Sequence, residues 1–187
     1  MYIVVGLGNP GEKYAHTRHN AGRLAEEFIS NADKVKAKFL FSDTFMNRSG
    51  SFVSKFVKPA RPNGRSGGSK KAAEKLVVLY DDLDLPLGRL KVSFGRSSGG
   101  HRGVESVIRA LSTENFIRIR IGIAQATPSG KIKKPKGEKA VLDFILGEWR
   151  PAEEAILKKV FKRALEALET IVVEGRETAM NRFNSLG

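Results

Sequence analysis

Two periodicities alternate along the chain. Apolar runs rich in branched and aromatic residues predict strands at Tyr2–Gly6, Val35–Phe41, Leu76–Tyr80, Leu90–Phe94 and Phe116–Ala124. Between and after them, apolar positions recur every three to four residues and predict helices at Ala21–Asn31, Ser49–Val57, Val104–Leu111 and Ala152–Val173, with a final short helix over Glu177–Asn184. Pro151 stands just before the long helix, where its missing N–H costs nothing. Strands alternating with helices predict an α/β fold whose sheet is largely covered. The strand Ile117-Arg118-Ile119-Arg120-Ile121 alternates apolar and basic residues, so it carries one basic face.

Length sets the scale of this fold. With 187 residues, 41% of them hydrophobic, the chain supports one domain with a real core. No apolar run approaches the roughly 20 residues of a bilayer span. Met1–Gly6 lacks the basic start and long apolar stretch of a signal peptide and reads as the start of a strand. The absence of cysteine excludes disulfides and thiolate metal sites and fits a cytosolic location. Two stretches, 58–71 and 127–139, are rich in Gly, Pro, Ser and Lys and are expected to be basic surface loops.

Charge narrows the partner. Lys and Arg outnumber Asp and Glu by 33 to 20, a net +13. Such a surface attracts phosphate backbones and gains affinity through counterion release. The basic residues are spread along the chain, which disfavours a membrane surface.

Four patterns could carry chemistry. Gly6-Leu7-Gly8-Asn9-Pro10-Gly11 has the G-x-G-x-x-G spacing of a dinucleotide turn. However, Pro10 interrupts it, no helix begins inside it, and no acidic residue ends a second strand 20 residues on. Gly95-Arg96-Ser97-Ser98-Gly99 has the spacing of a nucleophile elbow, but the histidine that follows it, His101, comes without an intervening acid. A Gly/Ser turn entering a helix explains it better. His16 and His19 are three apart, with Asp81, Asp82 and Asp84 as acids, a weak match to a metal site. The fourth pattern is His19 at a loop–helix junction with Asp81 after the strand Leu76–Tyr80. Ligands bind at carboxyl ends of strands in α/β sheets, and a carboxylate can fix the tautomer of an imidazole base acting on water. Asn9 and Asn47 lie on other loops. These residues alone leave His19 open to a structural role as well as a catalytic one.

Longer strings carry more. Gly6–Gly11 followed by Tyr14-Ala15-His16-Thr17-Arg18-His19-Asn20-Ala21-Gly22 resembles the opening of the bacterial peptidyl-tRNA hydrolases. So do Thr44-Phe45-Met46-Asn47-Arg48-Ser49-Gly50, Asp81-Asp82-Leu83-Asp84-Leu85-Pro86-Leu87-Gly88, Gly100-His101-Arg102-Gly103-Val104 and Arg118-Ile119-Arg120-Ile121-Gly122-Ile123. Phe144-Ile145-Leu146-Gly147 and Ala179-Met180-Asn181-Arg182-Phe183 complete the order. The resemblance spans nearly the whole chain. It implies a single α/β domain with a mixed sheet, and a cytoplasmic, monomeric enzyme without cofactor, metal, membrane contact or obligate protein partner. Such an enzyme cleaves the ester between a peptide and the terminal ribose of tRNA. By the same resemblance His19 is the general base and Asp81 its partner. Asn9 and Asn47 hold the peptide, Tyr14 and Phe45 line the site near the ribose, and Arg118 and Arg120 are phosphate contacts. A relative of this family acts in RNA splicing without hydrolysis, so an RNA-binding protein on the same scaffold is the alternative.

Two departures stand out. Arg102 occupies a position where the family pattern has asparagine. Arginine is longer, always charged and cannot accept a hydrogen bond, so it is expected either to grip a phosphate or the tRNA terminus, or to reduce activity. The connection from the first helix to Thr44 is about 20 residues shorter than the family pattern, as if a hairpin were missing. The basic 58–71 stretch is correspondingly longer and is expected to touch tRNA.

Overall fold

The computed structural model describes residues 1–59, 70–127, 129 and 131–185. Strand β1 (Tyr2–Gly6) leads through two short 3-10 turns, Glu12–Tyr14 and Arg18–Asn20, into helix α1 (Ala21–Asn31). Strand β2 (Ala37–Phe39), a 3-10 turn at Met46–Arg48 and helices α2 (Ser49–Val53) and α3 (Lys70–Ala73) follow. Next come β3 (Leu76–Pro86), β4 (Leu90–Phe94), α4 (Arg102–Leu111), β5 (Ile117–Ala126) and β6 (Ile132–Lys133). Helices α5 (Glu138–Ile145), α6 (Pro151–Val173) and α7 (Arg176–Asn184) end the chain.

The sheet is mixed, as expected. Its order is β2-β1-β3-β5-β4, with β1, β2, β3 and β5 parallel and β4 antiparallel to β5; β6 pairs antiparallel with the end of β5. Alternation along the strands sends side chains to two cores. Val4, Val77, Leu79, Val92, Ile119 and Ile121 pack beneath α1, α6 and α7. Val5, Leu76, Val78 and Tyr80 pack beneath α2 and α4. Burial on both faces explains the near-continuous apolar run Leu76–Tyr80.

Close backbone approach fixes how α1 sits. A Cβ at Gly22 would collide with the Leu79 carbonyl, and one at Gly6 with the Gly22 carbonyl. Only two glycines let the first turn of α1 lie on β1 and β3, and that contact sets where His19, two residues before the helix, can reach. Gly50 does the same for α2, since a Cβ there would meet the carbonyl of Ser106 on α4.

Helix α2 stops at Val53 and β2 covers only Ala37–Phe39, both shorter than expected, and three further departures bear on the site and its loops. Strand β3 does not end at Tyr80: it runs on to Pro86, pairing Asp81 with Ile121, Asp82 with Gly122 and Pro86 with Ala124 across an irregularity. Asp81 is therefore inside a strand rather than after one. The 127–139 stretch is not loop throughout, because it contains β6 and the start of α5. Most of the expected basic loop 58–71 lies outside the described residues, whereas its end begins α3.

At the far edge, Asn184 of α7 closes the free side of β4. Its carboxamide oxygen accepts from the Val92 N–H at 2.9 Å, and its amide donates to the Val92 carbonyl at 2.8 Å. That covers backbone groups an edge strand otherwise leaves open.

Candidate active site

A cleft of about 1110 Å³ opens over the carboxyl ends of β1 and β3, rimmed by the Met46–Arg48 turn, the Arg96–His101 loop and α5. Asn9, Tyr14, His19, Phe45, Asn47, Asp81, Arg102, Arg118 and Arg120, each expected at the site, all border it.

His19 and Asp81 meet as expected. His19 Nδ1 lies 3.1 and 3.0 Å from the two Asp81 carboxylate oxygens, and both residues are buried. A second histidine, to which sequence reasoning gave no role at the site, completes the group. His101 Nε2 lies 2.9 Å from Asp81 Oδ1, and His101 Nδ1 accepts the Val104 N–H at 3.2 Å as the cap of α4. That second bond fixes the ring. Because Nδ1 accepts, the proton of neutral His101 sits on Nε2 and is donated to Asp81.

Burial alone would raise the Asp81 pKa, but the two imidazoles, by charge and by hydrogen bond, hold its carboxyl well below the usual carboxylate range. Ionised Asp81 accepts from His19 Nδ1–H and leaves His19 Nε2 as the basic nitrogen. For His19 itself, burial opposes the charged ring and Arg102 adds to that opposition. The Asp81 charge and hydrogen bond outweigh both, and the pKa is raised above its ordinary 6.5.

His19, Asp81 and His101 bring one ligand atom each within 4.8 Å of one another, the spacing of a cation site. The donor set does not suit one. Coordination through His101 Nε2 would put the ring proton on Nδ1, against the Val104 N–H. The exposed His16 is no part of this group.

The segment carrying His19 is clamped from below. Arg18 ion-pairs with Glu153 at 2.8 Å and packs its guanidinium 4.7 Å from the Phe144 ring centroid and 5.3 Å from that of Trp149. Backbone bonds from Arg18 N to the Gly147 carbonyl and from Trp149 N to the His16 carbonyl tie the same two segments together. The family string through Gly147 is thus the seat of the His19 turn.

Asn9 is held by Asn20, whose carboxamide accepts the Asn9 N–H at 2.8 Å and donates to the Asn9 carbonyl at 2.9 Å. Asn9 Oδ1 accepts the Met46 N–H at 2.9 Å, so its NH₂ group is the end available to the cleft. Asn47 is exposed beside it on the Met46–Arg48 turn, with its carbonyl accepting from Ser106 Oγ at 2.9 Å. Tyr14 and the half-exposed Phe45 meet edge to face with ring centroids 6.3 Å apart.

The two strand arginines separate. Arg118 is fully buried: it donates to the Ser97 carbonyl at 2.6 Å and to the Arg96 carbonyl, and it stacks on Phe116. The expected phosphate contact is corrected here, because its donors hold the Arg96–Ser97 loop and its charge has no open face. Arg120 ion-pairs with Asp82 and stays partly exposed. Arg102 pairs across the cleft mouth with Glu138 of α5 at 2.5 Å.

Comparison with known proteins shows the family and the fold. The peptidyl-tRNA hydrolase family model matches residues 3–187. This chain belongs to the peptidyl-tRNA hydrolase family. It is 42% identical to a peptidyl-tRNA hydrolase of Thermotoga sp. (strain RQ2) over 192 residues, covering 98% of this chain and 97% of that one. It is 36% identical to that of Aquifex aeolicus, over 97% and 95% of the two chains. Among solved structures, the peptidyl-tRNA hydrolase of Acinetobacter baumannii superposes with a TM-score of 0.78 at 27% identity, over 99% of this chain and 95% of that one. The expected fold class and family resemblance are both borne out.

Proposed function

We propose that this chain hydrolyses the ester joining a peptide to the terminal ribose of tRNA, with His19 activating water. The observation that carries the reading is Asp81 buried between His19 and His101 at the floor of a cleft rimmed by Asn9 and Asn47.

The chemistry follows from the protonation states. Neutral His19 Nε2 takes a proton from water as the water oxygen attacks the ester carbonyl. Asp81 stabilises the resulting imidazolium across the Nδ1 hydrogen bond and remains ionised throughout. The oxyanion is neutral-donor stabilised, for which the Asn9 NH₂ is suited by its fixed orientation. His19 then returns the proton to the departing ribose oxygen.

The exposed Asn47 offers both a donor and an acceptor to read a peptide bond, and Asn9 adds its NH₂ donor. This favours an N-blocked aminoacyl ester over a free one. Tyr14 and Phe45 supply apolar surface for the ribose and base, Arg102 and Arg120 supply cations for the backbone, and the net +13 supplies the sequence-independent attraction to tRNA. The protein acts as a monomer in the cytoplasm, and no cofactor or metal enters these steps. Among the described residues no helix is long and apolar enough to cross a membrane.

The test is hydrolysis of N-acetyl-aminoacyl-tRNA by the protein and by His19→Ala. Release of N-acetyl amino acid by the first and near-loss in the second support the reading. Binding of tRNA without release by either protein would replace it with the RNA-binding alternative.

A further inference from the structure

Arg102 is the residue at which the chain leaves its family's pattern, and its surroundings differ from those of every other site residue. It is the first residue of α4, directly after His101, and its charge acts on His19. Its partner, Glu138, is the first residue of α5 on the opposite rim. Both side chains line the cleft and both are mostly in solvent, 67% and 82% exposed. An exposed ion pair of this kind contributes little and is weakened by salt. A guanidinium holds a phosphate through two parallel hydrogen bonds, a stronger contact.

We propose that Glu138 is an internal stand-in for a substrate phosphate: Arg102 releases it to grip the 5′ phosphate of the esterified terminal nucleotide. This rests on the ester-hydrolase reading above. The anion identified is the one the substrate brings nearest to the reacting ester, because the ester and that phosphate sit on the same ribose. Arg102 follows His101, whose ring centroid lies 5.1 Å from that of His19, so its charge stands beside the reacting group where that phosphate comes. The exchange keeps the charge of Arg102 compensated in both states. Without a phosphate, Glu138 screens it; with one, the substrate does. Arg102 is thus a specificity residue that rewards a nucleotide over a bare nucleoside ester, and Glu138 is its competitor.

Two substrates separate the effect: N-acetyl-aminoacyl-tRNA and the N-acetyl-aminoacyl ester of adenosine, which has no phosphate. The readout is the ratio of kcat/KM for the first to that for the second. Arg102→Gln is expected to lower this ratio about tenfold, chiefly through KM for the tRNA substrate. Glu138→Gln is expected to raise it about two- to threefold, since the phosphate no longer displaces a carboxylate. The double variant is expected to match Arg102→Gln alone, because without the arginine there is nothing to compete for. An unchanged ratio in Arg102→Gln overturns the proposal. A fall in Glu138→Gln like that in Arg102→Gln also overturns it, since the pair would then act as one structural strap. Failure of the unaltered protein on both esters overturns the hydrolase reading, and this proposal with it. Activity on both with no response at Arg102 overturns this proposal alone.

Discussion

Two buried carboxylates stand against α1, Asp81 beneath the turn before it and Glu26 at its middle, and burial has opposite outcomes for them. Asp81, beneath the His19 turn, sits between two imidazole donors and is ionised far below the usual range. Glu26, at the middle of the helix, accepts only backbone N–H groups, among them Leu40 at 3.2 Å, and its Oε2 has no partner. Burial pushes its pKa up to about 8, with the Gly6 and Leu40 N–H bonds and Arg23 opposing incompletely. Burial therefore does not decide whether an acid is charged; the donors around it do. Asp81 is held as an anion by its two imidazole neighbours, while Glu26 is a neutral hydrogen-bonding group of the core at neutral pH.

The sharpest way to break this contrast is to remove the charge at Asp81. Asp81→Asn and His19→Ala are each expected to lower kcat on N-acetyl-aminoacyl-tRNA by on the order of 10²–10⁴, measured in single-turnover assays. Loss of less than about tenfold in either would mean that the pair does not carry the reaction.

Glu26 tests the other side. Its folded pKa is raised, so its contribution to stability is full below 4.5 and is lost as pH rises through about 8. Glu26→Gln is expected to remove that dependence. Between pH 5 and 9 the variant gains on the order of 3–5 kcal/mol relative to the parent, read from urea unfolding at each pH. Parallel stability curves for the two proteins would show that Glu26 is ionised at neutral pH after all. Asp81 has the opposite sign: its depressed pKa contributes stability above 3.8 that is lost as pH falls.

His101→Leu is a smaller perturbation. It removes one donor to a charged carboxylate and the cap of α4 together, an expected loss of about 2–3 kcal/mol in unfolding free energy. The rate is expected to fall less than in Asp81→Asn, because the His19–Asp81 bond survives. Smallest is Arg109→Ala on the outer face of α4, where an exposed pair with Glu105 is broken. Stability there should change by less than about 0.5 kcal/mol, which contrasts the surface pairs with the buried group.

Much of this was legible in the chain. The patterning located β1, β4 and α1 to their observed bounds, because each combines clear periodicity with full or one-sided burial. His19, Asp81, Asn9 and Asn47 were found through their strings, and they do meet at one cleft. The strand extension through Asp81–Pro86 was illegible because acids and proline are poor strand residues; pairing with β5 holds it. Helix α5 was hidden by the Gly-Lys-Pro composition before it and by having no buried residue of its own. Arg118 read as a basic face because alternation reports which side of a sheet a residue takes, not what covers that side. His101 was missed because its partner is 20 residues away, and only the fold shows that the turn Gly99-Gly100 aims the ring at Asp81. The repeated glycine before it was the available signal.

The most direct test is an NMR titration of the His19 imidazole in the parent protein and in Asp81→Asn. In the parent, Asp81 outweighs burial and Arg102, so the midpoint should lie above 6.5. In Asp81→Asn only the two opposing influences remain, and the midpoint should fall below 6.5. A parent midpoint below 6.5, or the same midpoint in both proteins, would contradict the pairing on which the proposed catalytic role of His19 depends.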